Sequence, residues 1–411
     1  MASSRDFQVL WTGQVISALG SRISMVAFPL LVLGATGSPA KAGVAMFAGS
    51  LPLLVFTLPA GAYVDRLDRK GVMLVCELAR FAALGSIPVA IWLGRLSFAQ
   101  IVIVALVDGT GYAFFEVAQR AALRQIVPQA QLPAAIARIQ AREYGALLAG
   151  QPLGGVLFGL GRVIPFAVDA LSYLVSAASL LLVRTPLQEA RQPMSHRLRA
   201  EIAEGFAFLW RNPLLRTTSL LATGSDLVLN TLYLVVIVIA RERGASSALV
   251  GAMFAFIGVG GVLGALVAPA AARRIRPRAI VVGALAVVTL LVPLLPLVPG
   301  AVPVGLVYGA MFVAFPAWNA VIGAYRVALV PDRLQGRVES GATLLALGAV
   351  PIGSLVVGVL LQTTGSTPTV LILFAVMLLI WICAAASRSV REAPRLDELA
   401  HTATLAVATV G

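Results

Sequence analysis

Gly61-Ala62-Tyr63-Val64-Asp65-Arg66-Leu67-Asp68-Arg69-Lys70 packs five charges into six residues between two long apolar runs, roughly 43–63 and 72–93. Each run matches the ~20 residues that a helix needs to cross a bilayer. Working outward, similar runs fall at roughly 9–33, 98–118, 139–160, 164–183, 214–240, 248–270, 279–298, 302–324, 338–361 and 367–387, twelve in all. The chain has 411 residues, of which 59% are apolar and 12% charged. A soluble domain carries about twice that charged share. An all-α membrane protein with twelve transmembrane helices follows, and a soluble enzyme, a disordered chain or a disulfide scaffold does not, since Cys76 and Cys383 are the only cysteines.

The net charge of +13 comes from 29 Arg and two Lys set in short clusters between apolar runs, with no patch suited to nucleic acid. Twenty-four of these residues lie on the side of the N-terminus, the even-numbered loops and the C-terminus. Five lie on the other side: Lys41, Arg95, Arg162, Arg241 and Arg243. The positive-inside rule then makes both termini cytoplasmic. No removable signal peptide is expected. Residues 185–213 form the longest hydrophilic stretch and divide the chain into bundles at 1–184 and 214–387. Leu198, Ile202, Phe206 and Leu209 within it predict a short amphipathic helix, either on the membrane surface or as a plain linker. Residues 388–411 are expected to be a disordered cytoplasmic tail.

The halves repeat. Val107-Asp108-Gly109, Phe115 and Val127-Pro128 recur as Val307-Tyr308-Gly309, Phe315 and Val330-Pro331, and Pro152-Leu153-Gly154 recurs as Pro351-Ile352-Gly353. A near-constant offset of half the chain is the mark of a two-bundle secondary transporter.

The loop quoted first resembles the signature of the major facilitator superfamily, Gly-x-x-x-Asp-Arg-x-Gly-Arg-Lys. Gly61, Asp65, Arg66, Arg69 and Lys70 match it, and Asp68 stands where the family has Gly. The resemblance implies a loop that latches two pseudo-symmetric six-helix bundles on the cytoplasmic side, with Asp65 accepting from Arg69 and from a helix N-terminus. The counterpart in the second half, Arg273-Arg274-Ile275-Arg276-Pro277-Arg278, has no acid. Gly145, Gly150, Pro152, Gly154 and Gly155 resemble the antiporter signature of drug-exporting facilitators, with Gln151 inserted before the proline; tight helix packing and a kink are what such residues provide. Glu204 to Arg216 is similar to the linker of macrolide and siderophore exporters in the same superfamily.

Charges at membrane depth cost ~2.5–3.5 kcal/mol each on insertion scales, so they mark function. Arg22, Asp108 and Asp226 fall near the middle of runs 1, 4 and 7. The resemblance puts runs 1, 4, 7 and 10 around a central substrate cavity, so the expected lining is Arg22, Tyr112, Phe115, Asn230, Tyr233, Tyr308, Met311, Phe312, Phe315, Trp318 and Asn319. Aromatic and Met side chains beside acids suit a lipophilic or cationic substrate. Asp226, or alternatively Asp108, is the expected proton carrier. Arg22 facing Asp108 as an ion pair would oppose loading there, whereas residues 222, 223, 229 and 230 beside Asp226 are uncharged. Glu77 with Arg80, and Glu116 with Arg120, are expected in a cytoplasmic-end salt-bridge network, and Asp169 is expected to be solvated.

No phosphate-binding Gly-Lys occurs, and His196 and His401 lie away from any run, so neither ATP hydrolysis, a metal site nor a cofactor is expected. The expectation is a monomeric, proton-coupled exporter of a small molecule in a bacterial inner membrane. The alternatives are an importer of a nutrient or siderophore, and a membrane scaffold or receptor.

Overall fold

The computed structural model describes residues 5–64, 66–188 and 198–394. They form fifteen α-helices: α1 Arg5–Thr36, α2 Pro39–Val64, α3 Arg69–Trp92, α4 Phe98–Ile126, α5 Leu132–Leu160, α6 Ile164–Leu182, α7 Leu198–Arg211, α8 Pro213–Glu242, α9 Ser247–Arg274, α10 Pro277–Leu291, α11 Ala301–Met311, α12 Phe315–Leu329, α13 Asp332–Thr364, α14 Ser366–Ala386 and α15 Arg388–Arg391. Eleven spans are long and apolar enough to cross a membrane, with α11 and α12 counted together and α10 running on to Leu294. The span left out is α5. Its 29 residues reach about 44 Å at 1.5 Å per residue, but Arg138, Arg142, Glu143, Gln151 and five glycines dilute its hydropathy. With α5 the spans number twelve.

Backbone geometry separates two kinds of connection. Gly37, Gly94, Gly244, Gly300 and Gly365 hold positive φ, between +64° and +83°, in the turns after spans 1, 3, 7, 9 and 11. Glycine alone adopts this left-handed region without a Cβ penalty, so these loops close tightly. Among the described residues the connections after even-numbered spans hold no positive φ and start their next helices from Asp68, Gln131, Arg276 or Pro331.

The chain clusters into two compact units. The first comprises Met1–Met194, Ile237–Ala255 and Ser354–Thr363, and the second Ser195–Val236, Phe256–Gly353 and Thr364–Gly411. Within the first unit α1 packs on α5 and α6, α3 on α4 and α6, and α2 on α4. Within the second, α10 packs on α11, α12 and α14. The sequence repeat has a counterpart inside each unit. In the first, Gly109 of α4 crosses α2 at Gly49 and Pro52; in the second, Gly309 of α11 crosses α9 at Phe256 and Gly260. A Cβ on Gly309 would lie 2.5 Å from the Phe256 carbonyl oxygen, so only glycine allows the approach.

Two expectations are corrected. The tenth span is not continuous: it breaks at Phe312-Val313-Ala314 between α11 and α12. Pro316, at the start of α12, has no N–H to donate back to Phe312 and so favours a fresh helix start. The tail is folded through residue 394, where Val390 is buried and Tyr325 donates from its hydroxyl to the Pro394 carbonyl at 2.9 Å; the remainder of the tail lies outside the described residues. The linker helix forms as α7. Leu209 is buried with Leu215, Val330, Leu334 and Val338, Glu204 binds Arg337 and Arg333, and Phe206 stacks on Trp210 at 5.4 Å. Its apolar face therefore meets protein, on the side of α13.

Candidate functional site

In the signature loop, Asp68 is the N-cap of α3: its carboxylate accepts from the Gly71 N–H at 2.9 Å and the Lys70 N–H at 3.3 Å. The departure from the family's Gly therefore stabilises the helix start, where partial positive charge collects. Arg69 is buried and donates through Nη1 to the Leu187 carbonyl at 3.3 Å, while its N–H donates to Gln188 at 3.2 Å. Lys70 Nζ donates to the Val183 carbonyl at 2.8 Å. Lys70 thus closes the C-terminal end of α6, whose last carbonyls have no helical partners, and Arg69 fastens the segment beyond it. Arg66 is exposed and Gly61 has open space beside it. Asp65, with its expected Arg69 contact, lies outside the described residues.

The antiporter-like glycines divide by role. A Cβ on Gly154 would lie 3.0 Å from the Ile23 Cα, and Gly150 meets Arg22 and the Leu19 carbonyl, so both bring α5 against the α1 backbone. Gly155 does the same against α9, where its Cβ would lie 2.5 Å from the Gly251 Cα. Pro152 is half-buried in the same helix, and Gly145 meets nothing. This α1–α5 contact also settles the partner of Arg22. Arg22 turns to α5 and bonds Glu143 at 3.3 Å, while Glu143 takes Arg142 at 2.7 Å on its other oxygen. The expected Arg22–Asp108 pair is absent.

Asp108 pairs instead with Arg80, whose Nε donates to Oδ1 at 2.9 Å. Arg80 is 3% exposed, sits inside the first unit rather than at a cytoplasmic end, and donates from Nη2 to the Tyr173 hydroxyl at 2.6 Å. Its guanidinium carbon lies 4.1 Å from the Tyr173 ring centroid and 5.6 Å from that of Tyr112. Asp169 is buried, not solvated. Gly20 makes room for it, because a Cβ there would lie 2.6 Å from Asp169 Oδ1. One helical turn from Arg80, Glu77 is fully buried and accepts from Ser176 at 2.6 Å, and Ser176 in turn accepts from Gln14 at 2.6 Å. Polar groups of α1, α3, α4 and α6 so form a continuous seam within one bundle. Only the Glu116–Arg120 pair, 3.2 Å apart on α4, keeps its expected form.

In the second unit Asp226 is half-buried on α8. Among the described residues its carboxylate accepts no hydrogen bond, and Arg326 of α12 is the charged group that acts on it. Asn230 is exposed and donates to the Asp226 carbonyl at 2.8 Å. Arg326 itself is held by Glu339 of α13 at 3.0 Å. The aromatic stripe is mostly packed: Tyr233, Tyr308, Met311 and Trp318 are buried, and Tyr308 donates to the Leu229 carbonyl at 2.9 Å. Phe312 sits edge-on to Tyr308 at 5.4 Å and 5.8 Å from Phe315; both are half-buried, and Asn319 is exposed. In the first unit Phe115 is core, against Phe7, Leu10 and Met73, while Tyr112 is 37% exposed. Five expected lining residues therefore pack against protein, since helical spacing reports a common face without saying what covers it.

Glu143, Tyr173 and Ser176 are site residues that the sequence reading does not single out, and Arg80 is one that it places at a helix end. A signal was present: Gln14, Ser17, Ser21 and Ser24 on α1 match Asp169, Ser172, Ser176 and Ser179 on α6, two polar stripes at helical spacing in apolar helices. Polar stripes in such helices find each other.

Residues 2–407 match the family model described as transmembrane secretion effector, within the major facilitator superfamily. Over 394 residues the chain is 31% identical to the multidrug efflux pump Tap of Mycolicibacterium fortuitum, covering 91% of this chain and 93% of that one. It is 27% identical over 208 residues to macrolide efflux protein A of Streptococcus pyogenes, half of each chain. Among solved structures it is similar to the nucleoside transporter NupG, with TM-score 0.75 at 12% identity over 93% of this chain and 98% of that one. A bacterial homologue of the iron transporter ferroportin gives TM-score 0.71 at 16% identity, with 93% and 99% covered. At such identities these likenesses concern the fold alone. The protein is a multi-pass membrane transporter of small molecules and not an enzyme, and it belongs to the transmembrane secretion effector family of the major facilitator superfamily.

Proposed function

We propose that the protein exports lipophilic or cationic small molecules by alternating access, driven by proton entry, as a monomer in a bacterial inner membrane with both termini cytoplasmic. The near full-length likeness to a multidrug efflux pump carries the export reading. Division into bundles at 1–184 and 214–387, with the signature loop as the latch between them, belongs to this proposal. So does orientation, supported by the 24-to-5 charge asymmetry and by its agreement with the tight glycine turns on the charge-poor side.

Asp226 is the proposed proton carrier. Arg80 and Tyr173 occupy Asp108, whereas Asp226 is half-buried with its carboxylate unbonded among the described residues. One charge crossing 100 mV releases ~2.3 kcal/mol to drive export. Asn230, Tyr112, Arg22, Phe312, Phe315 and Asn319 keep accessible surface and are proposed for the substrate.

Asp226→Asn in proteoliposomes should abolish uphill pumping under an imposed pH gradient while leaving downhill exchange in place; undiminished pumping would move the assignment to Asp108. In a background lacking Cys76 and Cys383, cysteines at Ser38 and Thr364 should react with an impermeant reagent from outside sealed cells, and one at Ser195 should not. Labelling at Ser195 would reverse the topology.

A further inference from the structure

Tyr173 joins two acids, Asp108 and Asp169. Its hydroxyl lies 3.0 Å from Asp108 Oδ1 and 3.4 Å from Asp169 Oδ2 while accepting from Arg80 Nη2. A hydroxyl has one proton and donates to one carboxylate at a time. Arg80 Nε also serves Asp108, and the Ser172 hydroxyl, at 3.3 Å, also serves Asp169; but both carboxyls bond this one hydroxyl at the same time only when one of them carries a proton and donates it.

Charge counting leads to the same place. Glu77 of α3, Asp108 of α4 and Asp169 of α6 surround one guanidinium, that of Arg80. The facing groups of α1 are Gln14, Ser17, Ser21 and Ser24; Cys76, Tyr112 and Tyr173 are the other titratable groups there. Glu77 is fully buried, and among the described residues its Oε2 has no hydrogen-bond partner. Three ionised acids would leave two charges uncompensated in a cluster where Glu77 and Asp169 are shut off from water, which membrane interiors do not sustain. Access is graded too: the Asp108 side chain is 27% exposed, whereas Asp169 is 1% exposed.

We propose that Asp169 is a second proton-loading site, buried within the first unit and filled from Asp108 through the Tyr173 hydroxyl. This inference rests on the reading of transport as proton-driven and adds a carrier separate from Asp226. In the transfer, protonated Asp108 gives its proton to the Tyr173 oxygen, the Tyr173 O–H bond breaks, and that proton joins Asp169 Oδ2. Asp108 ends ionised against Arg80, Tyr173 ends neutral, and Asp169 ends as the acid, with charge conserved. Arg80 is a positioning residue: it holds Tyr173 and receives Asp108 in its ionised form.

The test is infrared difference spectroscopy on the purified full-length protein, titrated through neutral pH and exchanged into deuterium oxide. The wild type should show protonated-carboxyl absorption with one band that Asp169→Asn loses and that both Asp226→Asn and Glu77→Gln retain. Asp169→Glu should shift the band rather than remove it, and Tyr173→Phe should keep it but slow its exchange with deuterium. A band unchanged in Asp169→Asn, or exchange in Tyr173→Phe as fast as in the wild type, would overturn the proposal. In proteoliposomes the proton-to-substrate ratio should fall by one proton in Asp169→Asn, and an unchanged ratio would count against the site. Wild-type transport indifferent to a pH gradient would sink the proton-driven reading instead, while the spectra still decide the state of Asp169.

Discussion

Arg80→Gln is the substitution from which the first unit should suffer most. It removes a guanidinium that donates to Asp108 at 2.9 Å, to Tyr173 at 2.6 Å and to Ser21 at 3.4 Å, and that lies over the Tyr173 ring at 4.1 Å. Arg80 is 3% exposed, so water does not reach in to replace what is lost. Breaking a buried pair from one side costs ~3–5 kcal/mol, most of it the charge left behind. Because that charge sits on Asp108, adding Asp108→Asn to Arg80→Gln should recover part of the loss, with a coupling of ~0.5–3 kcal/mol. Arg80→Lys keeps the charge but not the fork, so it should fall between wild type and Gln. The assay is thermal unfolding of purified protein in detergent, followed by the fluorescence of its five tryptophans. Stability of Arg80→Gln within ~0.5 kcal/mol of wild type, the range of ordinary surface changes, or strict additivity in the double variant would refute this account of the pair.

Other outcomes can be read from the same contacts. Gly155→Ala places a Cβ 2.5 Å from the Gly251 Cα, where ordinary contact begins at 3.4 Å, so α5 and α9 must part by about 0.9 Å at a cost of ~1–3 kcal/mol; Gly145→Ala meets nothing and should leave melting unchanged, and equal melting of the two variants would contradict the division of roles within the motif. Asp68→Ala should lower amide-exchange protection at residues 69–73 by the equivalent of ~1 kcal/mol, whereas Asp68→Gly, the residue usual in the family, should cost a few tenths.

How far the chain could be read without coordinates follows from what each signal measures. Apolar length is additive along a sequence, so twelve spans were legible, and α5 was found although polar residues dilute it. Pairing is different, because it depends on which faces meet. Arg22 and Asp108 share a depth in the sequence, but Gly150 and Gly154 seat α5 on α1 at Arg22 and give it to Glu143 instead. Arg80 was assigned to a helix end by its distance from the signature loop, yet α3 carries it inward to Asp108 and Tyr173. The break at Phe312 was marked in the sequence by Pro316, but a proline inside a membrane helix is as often tolerated as disruptive.

The two halves keep common crossings and divide the chemistry. Gly109 and Gly309 play the same part at the α2–α4 and α9–α11 contacts, and Pro128 and Pro331 each precede the next long helix. The residue before the crossing glycine differs: Asp108 in the first half, tied to Arg80, and Tyr308 in the second, tied to the Leu229 carbonyl. The first half also buries Glu77, Arg80 and Asp169, whereas the second places Asp226 on α8 with carboxylate oxygens unbonded among the described residues. A duplicated scaffold with symmetric charges would load and release protons in the same way on both sides of its repeat. Here one half holds a bonded network, along whose hydroxyl and carboxyl groups the proposed transfer would run, and the other holds a half-buried acid on α8. The repeat supplies matching helix crossings, and under the proton-driven proposal the unequal placement of acids would give each half a distinct way of handling the proton.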